Sequence, residues 1–309
     1  MQLEGIHHIS AITGDAPANV DFYARVLGMR LVKKTVNQDD PTVYHLFYAD
    51  EDGSPGADLT FFEYPGARQG RHGSGMVHTI VFRVASEAAL DFWVDRLAGE
   101  GIEASRDTGR IVFADPEGLG LEFVVVERPD APLSARSLDV PAEFALQGFE
   151  AVRAYADDWP RSEALLSGPM GLTEIASHDW EARGELRGGR IVFEDSPGRG
   201  VPGAGTVHHV AWSIGLGEEE AWQQLIARTG LRPTPVIDRF YFRSVYFREP
   251  SGILYELATR GPGFTSDEPK ETLGEALSLP PNFEAVRDSV SQKLTPLPDV
   301  TQWRPAVTA

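Results

Sequence analysis

The sequence predicts an α+β fold of four tandem βαβββ modules, arranged as two curved half-barrel units with a C-terminal tail. Three observations predict this fold. A short strand that opens with glycine recurs four times, a helix of about ten residues follows each opening, and each repeat closes with further strands. The openings are GIHHISAI (5–12), GMVHTIVF (75–82), GFEAVRAY (148–155) and GTVHHVAW (205–212).

The four predicted helices begin at residues that favour a helix start, and three of them end near a glycine. Acidic residues open the fourth helix, where they complement the helix dipole. The helices run from Asp15 to Gly28, from Ser86 to Gly99, from Pro160 to Leu166, and through GEEEAWQQLIARTG to Gly230.

Modules two and four close with matching hairpins, FADPEGLGLEFVV (113–125) and FREPSGILYELAT (247–259). Both carry Pro-x-Gly in the turn and a glutamate six residues beyond the proline, Glu122 and Glu256. Modules one and three end differently. From the proline-rich connectors we expect three regions: an N-terminal domain of modules one and two, a C-terminal domain of modules three and four, and a tail, at 1–135, 136–264 and 265–309.

Composition excludes several classes of protein and of site. The net charge of −18 disfavours nucleic acid and anionic membrane surfaces as partners. The absence of cysteine excludes disulfides, thiolate metal sites and iron–sulfur clusters, so a metal must be held by His, Asp, Glu or neutral oxygen. No apolar run is long enough to span a bilayer, and the N-terminus lacks the features of a signal peptide. We therefore expect a cytoplasmic location.

Two His-His pairs, 7–8 and 208–209, occupy equivalent positions in modules one and four. Neighbouring side chains on a strand face opposite ways, so one histidine of each pair is expected on the concave side. Alignment of the modules puts His8 and His209 in one column, with Thr79 and Ala151 at the matching positions of modules two and three. The sequence thus predicts one intact site and one that has lost its ligands.

With Glu256, the two histidines form a set of two imidazoles and one carboxylate that leaves coordination positions open. This set suits Fe(II), because substrate and O2 can bind together, and Mn(II) accepts the same ligands. Glu122 stands in the column of Glu256, where a salt-bridged strand residue is the favoured interpretation. Glu63 would be a fourth ligand for an isomerase-type site, but it lies two residues past the expected column, and a strand-end carboxylate is favoured there.

Two blocks carry a more specific resemblance, KKTVNQDDPTVYHLFYADEDGSPGADLTFFEYPG (33–66) and the tail segment from GFTSDE to NFEAVR (263–287). They resemble hydroquinone-specific ring-cleaving dioxygenases, type I extradiol enzymes of the vicinal oxygen chelate superfamily, and the likeness extends over essentially the whole chain. The resemblance implies the vicinal oxygen chelate fold, with modules one and four paired around the working site and modules two and three paired together. It also implies Fe(II) bound by His8, His209 and Glu256.

Further residues follow from the same resemblance. Arg239 in VIDRFYF and Tyr246 seven residues later match an arginine and a tyrosine of the family, and His7 and His208 match the first histidines of its two pairs. Ser10 stands where a relative has threonine, which keeps the hydroxyl. We expect Tyr246, with His208 or Arg239, to transfer a proton or stabilise oxyanion charge.

The sequence thus favours an Fe(II)-dependent dioxygenase that opens an aromatic diol ring, with a substituted hydroquinone and O2 as its partners. Two other classes stay open: a glyoxalase-like metal-dependent isomerase or transferase, and a non-catalytic binding protein of the resistance type. Ring substituents and homo-oligomer formation are not fixed by the sequence. Phe240, Phe242 and Trp212 are expected to shape the pocket, and His45 is interpreted as a packing residue.

Overall fold

A computed structural model of the chain describes residues 1–305 and contains the four predicted βαβββ modules. Sixteen strands form in the described residues. They are β1 (Ile6–Thr13), β2 (Arg30–Asn37), β3 (Asp40–Ala49), β4 (Asp58–Glu63), β5 (Met76–Val84), β6 (Ser105–Asp107), β7 (Arg110–Ala114), β8 (Gly120–Val125), β9 (Phe149–Ala156), β10 (Thr173–Ala176), β11 (Asp179–Arg183), β12 (Gly188–Asp195), β13 (Thr206–Ile214), β14 (Ile237–Asp238), β15 (Arg243–Arg248) and β16 (Leu254–Thr259).

Each module places one helix between its first and second strands, as predicted. The Asp15 side chain accepts the Ala18 N–H at the first helix start, and the Ser86 hydroxyl accepts the Ala89 N–H at the second. The first helix continues as a π-helical segment, Asp21–Val26. The helices are α1 (Ala16–Val20), α2 (Glu87–Gly99), α3 (Pro160–Ser167), α4 (Glu219–Ala227) and, in the tail, α5 (Arg287–Ser291).

The modules assemble into two eight-stranded sheets, each built from one module of either half of the chain. Modules one and four form the first sheet, in the order β14-β15-β16-β13-β1-β4-β3-β2, and modules two and three form the second, in the order β10-β11-β12-β9-β5-β8-β7-β6. The central contacts are the antiparallel pairs β1–β13 and β5–β9. This α+β architecture of two curved units is the predicted vicinal oxygen chelate fold.

The predicted domains group modules that follow one another in the chain, whereas each sheet combines modules from both predicted domains. The boundaries at 135 and 264 stay a prediction. The last four residues of the predicted tail, 306–309, lie outside the described residues.

A β-bulge interrupts each central strand of the first sheet. The register of β1 against β13 shifts between Ile6 and His8, and it shifts again where Ser10 pairs with His209 and Ala11 with Val207. The extra residue is thus His7 in β1 and His208 in β13. A bulge changes the direction of the neighbouring side chains. Strict alternation, which predicts that one histidine of each pair faces away from the other, therefore does not hold here.

The apolar core lies on the convex faces of the sheets, where α1 to α4 cover them. Trp93 of α2, Trp222 of α4 and Trp212 of β13 are all fully buried there. Alternation along β13 explains why Trp212 packs into this core whereas His209 and Ala211 face the opposite, concave side. The concave side of the first sheet is thereby left free to carry polar side chains.

The tail is fastened to the first sheet by a buried lysine. The Lys33 side chain on β2 is completely buried, and its ammonium donates to the carboxylates of Asp267 and Glu268 in the tail. The same ammonium lies 4.8 Å from the centre of the Tyr241 ring, and the Tyr241 hydroxyl donates to Asp267 at 2.9 Å. The tail therefore supports the loop that carries Tyr241.

Among the described residues, no helix is both long and apolar enough to cross a membrane.

Replacement of the buried lysine tests this anchor. Lys33→Met should lower the free energy of unfolding by about 2–3 kcal/mol, since it leaves Asp267 and Glu268 without their counter-ion in a partly buried site. Urea denaturation measures the change. The matched control is Lys34→Met on the same strand, because the Lys34 ammonium donates only to the carbonyl oxygen of Glu275 at the surface. Equal losses in the two variants would contradict the anchor.

Candidate metal centre and cavity

His8, His209 and Glu256 come together on the concave face of the first sheet, although 201 residues separate the two histidines. The two Nε2 atoms lie 3.2 Å apart. The Glu256 Oε2 atom lies 3.1 Å from Nε2 of His8 and 2.8 Å from Nε2 of His209. All three side chains are buried. The structure thus brings together the three residues that the sequence predicted as ligands.

The spacing and chemistry of these atoms fit a divalent cation. Donor atoms on one face of an octahedron with metal–ligand bonds of about 2.1 Å lie about 3 Å apart, close to the distances observed here. Neither oxygen of Glu256 accepts a well-directed hydrogen bond from any described residue, although both are buried. A buried carboxylate without such partners needs a compensating charge, and a bound cation would supply it.

His7 sets the orientation of His8. Nε2 of His7 lies 3.0 Å from the carbonyl oxygen of Thr259, which can only accept, so this nitrogen carries the proton. Nδ1 of a neutral His7 then accepts the Nδ1–H of His8 across 2.9 Å. The lone pair of His8 is thereby left on Nε2, where it faces Glu256.

His208 repeats this contact in module four, because its Nδ1 lies 2.8 Å from Nδ1 of His209. Burial lowers the pKa of His7 to about 3 and that of His209 below its ordinary value. These two rings are therefore neutral at pH 7, and a neutral imidazole is the form that binds metals. Among the described residues, neither His7 nor His208 lines the cavity beside the triad; both contact the predicted ligands.

The cavity opens beside the triad between the two modules of the first sheet. It encloses about 450 Å³, including the open space at its mouth. Aromatic side chains dominate its wall, with polar groups at three places: the triad, the mouth and the wall formed by β2 and β3. The aromatic residues and histidines on the wall are Phe47, Phe62, Tyr241, Phe242, Tyr246, His8, His45 and His209.

Tyr246 and Arg239 both line this cavity, as expected of residues that contact a substrate. Tyr246 lies directly across the β15–β16 hairpin from Glu256, and its ring centre lies 5.6 Å from that of His209. Nε of Arg239 lies 3.4 Å from the Tyr246 hydroxyl. Burial and the Glu256 charge raise the pKa of Tyr246 well above its ordinary value, although Arg239 opposes this. The phenol therefore keeps its proton at neutral pH.

Modules one and four contact each other through side chains at the mouth of the cavity. The Arg239 guanidinium donates to both carboxylate oxygens of Asp39, at 3.3 and 3.1 Å, and the Gln38 side chain donates to the Arg239 carbonyl oxygen. Asp39 and Gln38 lie in the turn between β2 and β3. Arg239 thus joins the mouth to Tyr246.

Three predictions about pocket shape need correction, because Phe240 and Trp212 do not line the cavity whereas His45 does. Phe242 lines the cavity, with its ring centre 5.0 Å from that of His8, as expected. Trp212 packs in the convex core instead, because β13 alternates and His209 takes the concave side. His45, which was interpreted as packing, also lines the cavity. Its strand position opposite Thr35 puts it on the concave face.

The second sheet repeats the geometry without the ligands, and its strand registers confirm the alignment of the modules. Val81 pairs with Glu122 as Ala211 pairs with Glu256, and Ala151 takes the position of His8. Thr79 pairs with Arg153, which stands where Ser10 does in the first sheet. The Arg153 guanidinium donates to both Glu122 oxygens, at 2.6 and 3.1 Å. A side-chain cation therefore neutralises the carboxylate, as the salt-bridged interpretation of Glu122 predicted.

Glu63 does not reach the triad. Its Oε1 atom accepts from the Ala16 N–H and the Thr295 hydroxyl, both at 3.3 Å, at the end of β4. This confirms the interpretation as a strand-end carboxylate.

Sequence reasoning missed several groups near the site. Asp58 pairs with His8 in the β1–β4 register and is fully buried, and burial raises the pKa of its carboxyl well above the ordinary value. Thr35 and Asn37 line the cavity from β2. The alternation of Lys33, Thr35 and Asn37 along β2 would have placed them on one face, but only the sheet order shows which face is concave.

Comparisons with known proteins agree with this fold. The Glyoxalase/Bleomycin resistance protein/Dioxygenase superfamily profile matches residues 5–123. "Putative ring-cleaving dioxygenase MhqO" of Bacillus subtilis (strain 168) is 41% identical, over 94% of this chain and 96% of its own length. "Chlorohydroquinone/hydroquinone 1,2-dioxygenase" of Sphingobium indicum is 30% identical, over 94% of this chain and 95% of its own length.

A solved structure shows the same similarity in three dimensions. The crystal structure of a "putative dioxygenase" from Bacillus subtilis subsp. subtilis str. 168 superposes with a TM-score of 0.87 at 40% identity, covering 96% of this chain and 98% of that one.

Metal titration tests the triad against its counterpart in the second sheet. We expect the wild type to bind one equivalent of Fe(II) or Mn(II) and to gain thermal stability with the metal. Glu256→Gln and His8→Ala should weaken binding by at least about a hundredfold. Glu122→Gln, at the equivalent position of the second sheet, should leave it unchanged. Equal metal binding by Glu256→Gln and the wild type would contradict the site.

Proposed function

The chain belongs to the glyoxalase/bleomycin resistance protein/dioxygenase superfamily, and on this basis we propose that it is an Fe(II)-dependent extradiol-type dioxygenase that inserts O2 into the ring of a substituted hydroquinone. The triad beside an aromatic-walled cavity is the observation that carries the proposal. A metal held by three protein ligands would have coordination positions left for substrate and O2, and the aromatic wall suits a flat ring substrate.

His8, His209 and Glu256 would hold the metal. When bound, a ferrous ion supplies the redox chemistry for O2 and acidifies a coordinated substrate hydroxyl. Mn(II) accepts the same donors. His7 and His208 act through the ligands, because each fixes the ring of its neighbour by an Nδ1–Nδ1 contact and neither lines the cavity. We therefore assign them positioning roles.

Tyr246 and Arg239 act on the substrate side. The protonated Tyr246 phenol can donate a hydrogen bond to oxygen that gains negative charge beside the triad. Arg239 stabilises this charge and holds the Tyr246 hydroxyl through its Nε–H. Since Asp39 holds the other end of the guanidinium, the arginine has a fixed direction.

The two alternative functions have less support. An isomerase or transferase with a fourth ligand is disfavoured by Glu63, which binds Ala16 and Thr295 away from the triad. A non-catalytic binding protein would not need three converging buried donors. A cytoplasmic location and the absence of nucleic-acid and membrane partners stay predictions.

O2 uptake tests the proposal. Protein loaded anaerobically with Fe(II) should consume O2 with methylhydroquinone or chlorohydroquinone, and catechol run in parallel should be poorer. His209→Ala should abolish uptake because it removes a ligand. Stoichiometric metal with no O2 consumption for any diol would overturn the dioxygenase proposal and favour the isomerase.

Tyr246→Phe tests the donor role. Turnover should fall by about a hundredfold while metal content stays at the wild-type level. Because the raised pKa keeps the phenol protonated, the ratio of wild-type to variant turnover should stay constant between about pH 6 and 9. Stopped-flow O2 consumption measures both quantities, and full activity of the variant would rule this role out.

A further inference from the structure

His45 is held in a defined orientation on the cavity wall, and it is not one of the three predicted ligands. Its ring lies between those of Phe47 and Phe62, with centre distances of 4.0 and 4.1 Å. Nε2 of His45 lies 2.9 Å from the Thr60 hydroxyl, which in turn lies 2.7 Å from the Ser10 hydroxyl. Packing and one hydrogen bond therefore fix the plane and the direction of the imidazole.

This arrangement leaves Nδ1 of His45 for another partner. No described residue makes a hydrogen bond to Nδ1, and this atom is not among the side-chain nitrogens sealed from solvent. His45 lines the cavity, and Nδ1 is the ring nitrogen of His45 that no described residue engages. A neutral imidazole with one nitrogen engaged still offers the other to a ligand.

Thr35 adds a second polar group at the same place. It lies directly opposite His45 in the β2–β3 pairing, it is 2% exposed, and its hydroxyl has no hydrogen-bond partner in the described chain. Buried hydroxyls are normally paired. We call His45 and Thr35 the polar far wall.

One aromatic side chain, Phe62, neighbours both the polar far wall and the triad. The Phe62 ring centre lies 4.1 Å from that of His45 and 6.5 Å from that of His209. A flat ring lying along Phe62 would present one edge to the triad and the opposite edge to His45. A catechol carries both oxygens on one edge, whereas a para-diol carries one oxygen on each.

We propose that His45, assisted by Thr35, binds the second ring oxygen of the substrate through Nδ1 and thereby selects para-diols. This inference rests on the proposed function, since it deepens the assignment of the same cavity. His45 would be a substrate-contacting residue that needs no charge change, because a neutral imidazole and a hydroxyl each both donate and accept.

Two substitutions separate the two nitrogens of His45. Asparagine places an amide near the position of Nδ1, whereas glutamine places it near Nε2 and keeps a partner for Thr60. Binding of hydroquinone and of 4-methylphenol, which replaces the second hydroxyl by a methyl group, is measured by calorimetry on Fe(II)-loaded protein without O2.

We expect the wild type to bind hydroquinone about tenfold more tightly than 4-methylphenol, as one buried hydrogen bond allows. His45→Asn should keep this preference, and His45→Gln should lose it to within about twofold. Metal content should not change in either variant. Thr35→Val should reduce the preference while leaving the thermal stability of the ligand-free protein equal or higher, because it removes an unpaired buried hydroxyl.

The outcomes distinguish this inference from the proposed function. If the wild type consumes O2 with hydroquinones but His45→Gln keeps the full preference, the role of His45 is wrong and the dioxygenase stands. If His45→Gln does not fold, an unchanged preference in Thr35→Val, with lower stability, overturns the polar far wall. A wild type that binds neither phenol nor consumes O2 refutes the proposed function itself.

Discussion

The antiparallel pairing of β1 with β13 is the contact on which the rest of the site depends. It joins the first module to the last and brings His8 and His209, 201 residues apart in the chain, to within 3.2 Å. Glu256 reaches them from the neighbouring strand, where it pairs with Ala211. Two bulges in this strand pair then turn His7 and His208 toward the same two rings, so a local irregularity of the backbone supplies the contacts that orient the donors.

The duplicated scaffold shows how the same backbone can carry or lose a metal site. The second sheet keeps its bulges, after Val77 and after Val81, and it keeps a buried glutamate at the position of Glu256. A buried carboxylate must be neutralised in either sheet. In the first sheet a bound cation would neutralise Glu256, whereas in the second sheet the guanidinium of Arg153 neutralises Glu122. In the second sheet, the arginine thus supplies the positive charge that a metal ion would supply if the histidine ligands were present.

The module pattern was predictable because glycine openings, caps and Pro-x-Gly turns are local signals, and the equivalence of His8, His209 and Glu256 followed from the repeat alone. For residues outside the aligned ligand positions, the sequence did not show which face of the sheet they occupy or how far they lie from the metal ligands. Strict alternation predicted that His7 would point away, but a bulge is set by pairing with a distant strand. His45 looked like a packing residue because its contacts, Thr60 and Phe62, come from β4, and only the curvature of the sheet shows that it borders a cavity. The pairing of modules one and four in one sheet was predicted from the family resemblance alone.

The order in which the modules pair has a consequence for synthesis on the ribosome. Modules two and three are adjacent in the chain, so their sheet can close as soon as β12 has emerged. Module one, made first, must wait for β13 before β1 gains its antiparallel partner, and until then that edge of β1 is unpaired. Contacts of such long sequence separation form slowly. The metal-binding half of the protein is therefore completed last, and a nascent chain interrupted before Thr206 contains one closed sheet and a first module without its partner strand.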